Sequence, residues 1–215
     1  MIKAVLFDLD GTFADTAPDL CHALNLMRTA RGLAPVALEV TRPVTSMGAR
    51  GLLHAGFGIL PDHPDYLAMR DEFLDLYEQN LCHETGLFPG TLELLDALEE
   101  RGLKWGIVTN KAERFALPLL ELLRLGSRAA CIIGGDTTGK LKPHPEPLLA
   151  ASRKIAVAPG ACVYVGDDQR DIDAGRAAGM MTVAVTYGYL NSSAPADWGA
   201  DAIIGHPREL LDHLG

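Results

Sequence analysis

Six short apolar runs punctuate this chain, at residues 4–9, 105–109, 131–133, 163–165, 182–185 and 202–204. Runs this short and this predominantly apolar read as strands buried on both faces. Amphipathic stretches separate them. In residues 91–101, Leu92, Leu95 and Leu98 fall three apart, and Gly102 supplies a stop. Buried strands alternating with helices predict an α/β fold, a Rossmann-like parallel sheet covered by helices.

The alternation breaks once. Between residues 15 and 86 no strand-like run appears, yet helical periodicity does: Leu20, Leu24, Met27 and Ala30 make one face, and Phe73, Leu76, Tyr77 and Leu81 another. A block of about 70 residues is too long for a loop in a compact domain. The spacing therefore predicts a core of residues 1–14 and 87–215, with 15–86 inserted as a helical cap subdomain over the end of the first strand. The Ser/Pro-rich stretch at 191–195 reads as a surface loop.

Composition excludes several partners. With 19 basic and 28 acidic residues the formal net charge is −9, and no Lys/Arg run is present, which argues against nucleic acid. No apolar run approaches the ~20 residues of a membrane span. The apolar opening is too short for a signal peptide, and the four cysteines show neither C-x-x-C nor metal-like spacing. The expectation is a cytoplasmic protein with four free thiols, acting on a small molecule as a monomer or homodimer.

In open parallel sheets the functional crevice lies beyond the carboxyl ends of the strands. After the first strand comes Asp8-Leu9-Asp10-Gly11-Thr12, and after the second Thr109 and Asn110. Lys142-Pro143 follows the third after a Gly-rich approach. Gly166-Asp167-Asp168 follows the fourth, with Asp171 one turn on. Carboxylates gathered this closely do not stay ionised without a cation, and all-oxygen ligation favours a hard ion such as Mg²⁺. Asp8 and Asp10, two apart on a strand end, are expected to face the same way. One such carboxylate can attack phosphorus, and a second can protonate the leaving alkoxide and then activate water. Thr109 and Lys142 would supply a hydrogen-bond donor and a positive charge to the phosphoryl oxygens.

Asp8-Leu9-Asp10-Gly11-Thr12, Val108-Thr109-Asn110, Lys142-Pro143-x-Pro145 and Gly166-Asp167-Asp168-x-x-Asp171 resemble the four ordered signature motifs of the haloacid dehalogenase superfamily. The resemblance spans essentially the whole chain. It implies Asp8 as nucleophile and Asp10 as general acid/base. It also implies Mg²⁺ held by Asp8, the Asp10 backbone carbonyl and Asp167, with Thr109, Asn110 and Lys142 at the phosphate. The inserted helical block is similar to the cap that such members place after their first motif. A carboxylate at position 10 points, by the same resemblance, to phosphomonoester hydrolysis or phosphosugar mutation rather than dehalogenation.

Asp10 through Leu20 and Tyr187-Gly188-Tyr189 resemble the phosphoglycolate phosphatases of that superfamily. Gly48-Ala49-Arg50, Thr109-Asn110-Lys111 with Arg114-Phe115-Ala116, Asp167 through Ile172 and Trp198-Gly199-Ala200-Asp201 resemble its N-acetylmuramic acid 6-phosphate phosphatases. Both substrates carry a carboxylate beside the phosphate.

Plainer roles compete at several positions. Asp8-x-Asp10-Gly11 is not an EF-hand start, because the sixth position, Phe13, would have to be glycine. Asp167-Asp168 alone reads as a helix N-cap pair, with Asp168 or Asp171 either capping the helix or steadying the waters around a metal. Asp15 and Asp19 read as caps of the following helix. Arg50, beside Gly48, is either a solvated charge or a guanidinium that meets a substrate carboxylate. The seven histidines show no paired metal spacing. A receiver-like module phosphorylated on Asp8 would have no use for Asp10 or for the insertion.

Overall fold

The structure, a computed structural model, describes residues 1–190 and 194–215. The loop expected at 191–195 lies in part outside the described residues. The chain opens with β1 (Ala4–Phe7), and continues through β2 (Ala14–Asp15), α1 (Ala17–Ala30), α2 (Leu38–Thr41), α3 (Gly48–Phe57) and α4 (Tyr66–Gln79). There follow β3 (Gly86–Leu87), α5 (Thr91–Glu100), β4 (Lys104–Val108), α6 (Glu113–Leu122), β5 (Cys131–Ile133) and α7 (Glu146–Ile155). The last elements are β6 (Cys162–Gly166), α8 (Gln169–Ala177), β7 (Met181–Val185) and β8 (Ala202–Ile204), with short 3₁₀ turns between and after them.

Six strands pair in the order β5-β4-β1-β6-β7-β8, every pair parallel. The sheet grows outward on both sides of β1, so the order reverses there, and β1 with its neighbours β4 and β6 is where a crevice opens in such a sheet. All four residues of β1 and all five of β6 are buried. That is why these strands read as unbroken apolar runs. Helices α7 and α8 pack on β5 and on β6 with β7, and Phe13 stacks on Trp105 with ring centroids 5.6 Å apart. The first strand stops at Phe7, two residues short of the expected run, because Leu9 already belongs to a tight turn: Phe13 and Ala14 both donate to its carbonyl.

Two compact units divide the chain, residues 1–14 with 87–215 and residues 15–86. The second is helical, with the two-residue β2 and β3 at its ends pairing into a small ribbon. Its packing faces differ from expectation at their margins. In α4 the buried face is Tyr66, Met69, Phe73 and Tyr77, while Leu81 lies beyond the helix end. Ala30, the last residue of α1, is exposed. In α5 of the first unit, Leu94, Leu95 and Leu98 are buried, whereas Leu92 is 45% exposed. A helix buries a stripe wide enough to hold i, i+1 and i+4 neighbours, and spacing alone leaves the stripe's centre open. Asp15 and Asp19 do not cap α1. Asp15 takes a bidentate pair from Arg42, and Asp19 accepts from residues 83–85. All four cysteines are free.

Candidate active site

Four strand ends deliver the candidate residues. Backbone pairing continues one residue past the strands, Asp8 N–H to the Val165 carbonyl and Thr109 N–H to the Ile133 carbonyl, so both side chains leave a fixed backbone. The turn after β1 needs glycine: Gly11 has φ +86°, and a Cβ there would lie 2.2 Å from Asp167 Oδ2. Close approach of that turn to β6 is thus built into the sequence.

Lys142 is the hub. Its buried ammonium lies 2.6 Å from Asp171 Oδ1, 2.8 Å from Asp8 Oδ1 and 2.8 Å from Tyr164 Oη. Tyr164 in turn donates to the Val108 carbonyl at 2.7 Å, which ties the lysine to the end of β4. Burial pushes the Lys142 pKa down, but Asp171 and Asp8 outweigh it and hold the ammonium charged. Asp8 Oδ1 is close enough to feel that charge yet off the hydrogen-bonding line, and it is a buried oxygen with no aligned donor.

Asp167 is crowded. Thr12 Oγ1 donates to its Oδ1 at 2.9 Å and the Tyr189 N–H to its Oδ2 at 2.8 Å. Even so, burial first, then Asp8 and Asp171, push its pKa well above the usual carboxylate range. Burial and Asp8 likewise push Asp171 up to about 6, against the pull of Lys142. Oxygens of Asp8, Asp167 and Asp171 all lie within 4.8 Å of one another.

The remaining candidates divide. Asp10 meets a different ammonium, Lys111 Nζ at 2.8 Å, and does not join the three-carboxylate cluster. Thr109 is buried, and its Oγ1 accepts from the Lys111 N–H, which leaves its own proton free to donate. Asn110 spends its amide on the Lys142 backbone, Nδ2 to the carbonyl and Oδ1 from the N–H, so it acts on the lysine's placement. Asp168 is the N-cap of α8, in a capping box with Asp171, and pairs with Arg170. Burial acts against its charge, but the Arg170 hydrogen bonds hold its pKa below the usual range. Arg50 lies in the first turn of α3 in the helical unit, exposed, and among the described residues no ion pair holds it.

Thr12, Lys111 and Tyr189, which lie in the quoted motifs without an assigned role, and Tyr164, which lies in none, also contribute side-chain or backbone contacts here. Lys111 and Tyr164 had a usable signal, since each sits within three residues of a strand's carboxyl end.

A hard cation fits here on the donor chemistry itself. Along this edge five carboxylates (Asp8, Asp10, Asp167, Asp168 and Asp171) meet three cations, Lys111, Lys142 and Arg170, which leaves two negative charges uncompensated. The raised pKa of Asp167 and the Asp8 oxygen without an aligned donor mark where that imbalance concentrates. All the oxygens are hard donors, which suits Mg²⁺ rather than a soft metal.

The haloacid dehalogenase-like hydrolase family matches residues 5–185. The N-acetylmuramic acid 6-phosphate phosphatase of Pseudomonas aeruginosa is 46% identical over 214 residues, covering 99% of this chain and 95% of that protein. A phosphoglycolate phosphatase of Xanthomonas campestris pv. campestris is 47% identical over 211 residues, covering 98% and 95%. A crystal structure described as a predicted phosphoglycolate phosphatase from Haemophilus somnus superposes with TM-score 0.88 at 27% identity, covering 100% of this chain and 98% of that one. With the family matched across most of the sequence, and relatives nearly half identical from end to end, this chain belongs to the haloacid dehalogenase-like hydrolases.

Proposed function

We propose that the chain hydrolyses a small phosphomonoester carrying a carboxylate, through phosphorylation of Asp8. The observation that carries this reading is Asp8 itself: a carboxylate at the end of β1 with one buried oxygen lacking an aligned donor, beside Lys142 and crowded by Asp167. In the first step an Asp8 oxygen bonds to phosphorus while the bond to the leaving oxygen breaks, and Asp10 gives that oxygen its proton. In the second, water attacks the phosphorus of phospho-Asp8, Asp10 takes the proton, and Asp8 is regenerated with inorganic phosphate released. Thr109 donates to a phosphoryl oxygen, and Lys142 balances charge as the transition state forms.

Members of this family generally use Mg²⁺. Here Asp8, Asp167 and the Asp10 backbone carbonyl would hold it, with Asp171 and Asp168 steadying its surroundings. When bound, the ion supplies the positive charge that lets an anionic carboxylate approach an anionic phosphate. The helical unit serves as the cap that reads the substrate, with Arg50 as the residue meeting its carboxylate. No described helix is long and apolar enough to cross a membrane, in keeping with a cytoplasmic enzyme acting on a metabolite.

Phosphoglycolate is the first substrate to test, given the relative of that name at 47% identity. N-acetylmuramic acid 6-phosphate is the second, favoured by the equally extensive match at 46%. The experiment is kcat/KM on both, with and without excess chelator. Turnover of either that is lost in chelator and restored by Mg²⁺ is expected. Full activity in chelator, or inertness toward every phosphomonoester, would refute the reading.

A further inference from the structure

The two carboxylates assigned to the reaction each have their own ammonium, Lys142 for Asp8 and Lys111 for Asp10. We infer that Lys111 is the positioning residue that holds the Asp10 carboxylate away from the crowded Asp8, Asp167 and Asp171 cluster. That division keeps Asp10 available for proton transfer. The inference rests on the reading of Asp10 as general acid/base and adds a residue to it.

Several observations converge. The Lys111–Asp10 pair is 2.8 Å long and sheltered, with side-chain exposures of 7% and 18%. A pair this little exposed is far less screened than a surface salt bridge. The lysine backbone is pinned on both sides: its N–H donates to Thr109 Oγ1 at 3.1 Å, and its carbonyl accepts from Gly135 N–H at 2.8 Å. Gly135 cannot carry a side chain here, because a Cβ would stand 2.3 Å from the Asn110 carbonyl oxygen. The loop between β4 and α6 is therefore held by the next strand's loop, and the ammonium is projected from a fixed base toward a residue 101 positions earlier.

The energetic reason is the crowding already present. Oxygens of three carboxylates, Asp8, Asp167 and Asp171, already lie within 4.8 Å of one another. A fourth carboxylate swinging inward would add repulsion or compete for the cation. Either would also remove the acid from the leaving group. A second ammonium is not needed for binding phosphate, since the reading above gives that task to Lys142 and Thr109. What Lys111 contributes is the direction in which Asp10 points.

The test compares Lys111→Met, Lys111→Gln and Lys111→Arg on two esters: whichever of phosphoglycolate and N-acetylmuramic acid 6-phosphate is turned over, and p-nitrophenyl phosphate. An alkoxide needs a proton as it departs, and a nitrophenolate scarcely does. Misdirecting the acid should lower kcat on the alkyl ester by roughly 10–100-fold, with KM within about threefold. The loss on p-nitrophenyl phosphate should be smaller, and Lys111→Arg should recover part of the alkyl-ester rate. Thermal melting of each variant checks the fold, and Lys111→Gln, which keeps a donor without the charge, should fall between Arg and Met.

In an Asp10→Asn background, Lys111→Met should add less than about twofold, because the two residues act as a unit. Full additivity would overturn the inference, as would equal losses on both esters or a change confined to KM. Asp10→Asn tested alone separates the layers. If it loses equally on both esters, the acid/base reading of Asp10 fails. If it discriminates between them and Lys111→Met does not, only the role of Lys111 fails.

Discussion

Asp19 in the helical unit and Asp167 in the sheet unit are both 1% exposed, and their surroundings are opposites. Asp19 accepts the backbone N–H groups of His83, Glu84 and Thr85 and the Thr85 hydroxyl, at 2.6–3.2 Å. Every donor is neutral and comes from one short loop. Asp167 accepts two hydrogen bonds and must share its space with Asp8 and Asp171. The first carboxylate is saturated and fixes a loop; the second is left with charge to spare. Burial of an acid is therefore no mark of chemistry by itself. Crowding with other acids is.

The sharpest way to break this contrast is at Asp8, the crowded carboxylate at the end of β1. Asp8→Asn should lower kcat by at least roughly 10³-fold while leaving the melting transition cooperative, since an amide is a poor nucleophile and a poor Mg²⁺ ligand. Near wild-type hydrolysis by the purified variant would end the mechanism.

Asp19→Ala should behave in the reverse manner. It strands three N–H groups and a hydroxyl, so urea denaturation should show a loss of about 2–4 kcal/mol, with activity per folded molecule on p-nitrophenyl phosphate largely kept at low temperature. Asp167→Asn should instead leave metal-free stability unchanged or improved, and abolish the rise in Tm on adding Mg²⁺. If Asp19→Ala removes activity without loss of stability, the saturated carboxylate is not merely structural.

Arg50 sharpens the comparison from within the helical unit. There Arg31 pairs with Glu72, Arg42 with Asp15 and Arg70 with Asp71, whereas Arg50 has no such partner among the described residues. A charge-assisted pair with a substrate carboxylate is worth about 1.5–3 kcal/mol, so Arg50→Ala should lower kcat/KM on carboxylate-bearing esters by roughly one to two decades. An aryl phosphate without a carboxylate should be nearly unaffected. Equal losses on both would assign Arg50 another task.

The smallest effect is a pH dependence. Folded-state pKa values of Asp171, about 6, and of Asp167 lie above the usual carboxylate value. The folded protein then binds more protons than the unfolded chain, and stability falls as pH rises through that interval. Metal-free protein should melt a few degrees higher near pH 5 than near pH 7, and saturating Mg²⁺ should flatten the difference. A metal-free Tm that rises from pH 5 to 7 would show that the crowding is relieved some other way.

Particular residues show what was legible before any fold was known. The strands at 131–133 and 202–204 carry the bounds expected of them, because continuous apolar runs have few other solutions. Leu92 and Leu94 were harder. Spacing of three admits either as the centre of the buried stripe, and only packing against the rest of the unit exposes the first and buries the second. Asp15 and Asp19 were harder again, since a polar residue near a helix start is ordinarily a cap. Here Arg42 and the loop at 83–85 claim them instead.

The sequence by itself determined the parallel sheet, the inserted helical block, the four motifs at strand ends and the family. Each is written in local periodicity or in short ordered residue sets. Tertiary structure alone decided the partnerships: Lys142 with Asp8 and Asp171, Lys111 with Asp10, and Thr12 with Asp167 across 155 positions. The physical reason is range. Strand and helix form from what neighbours along the chain can bury, whereas an ion pair depends on distance through space, which exists only once the strands are side by side.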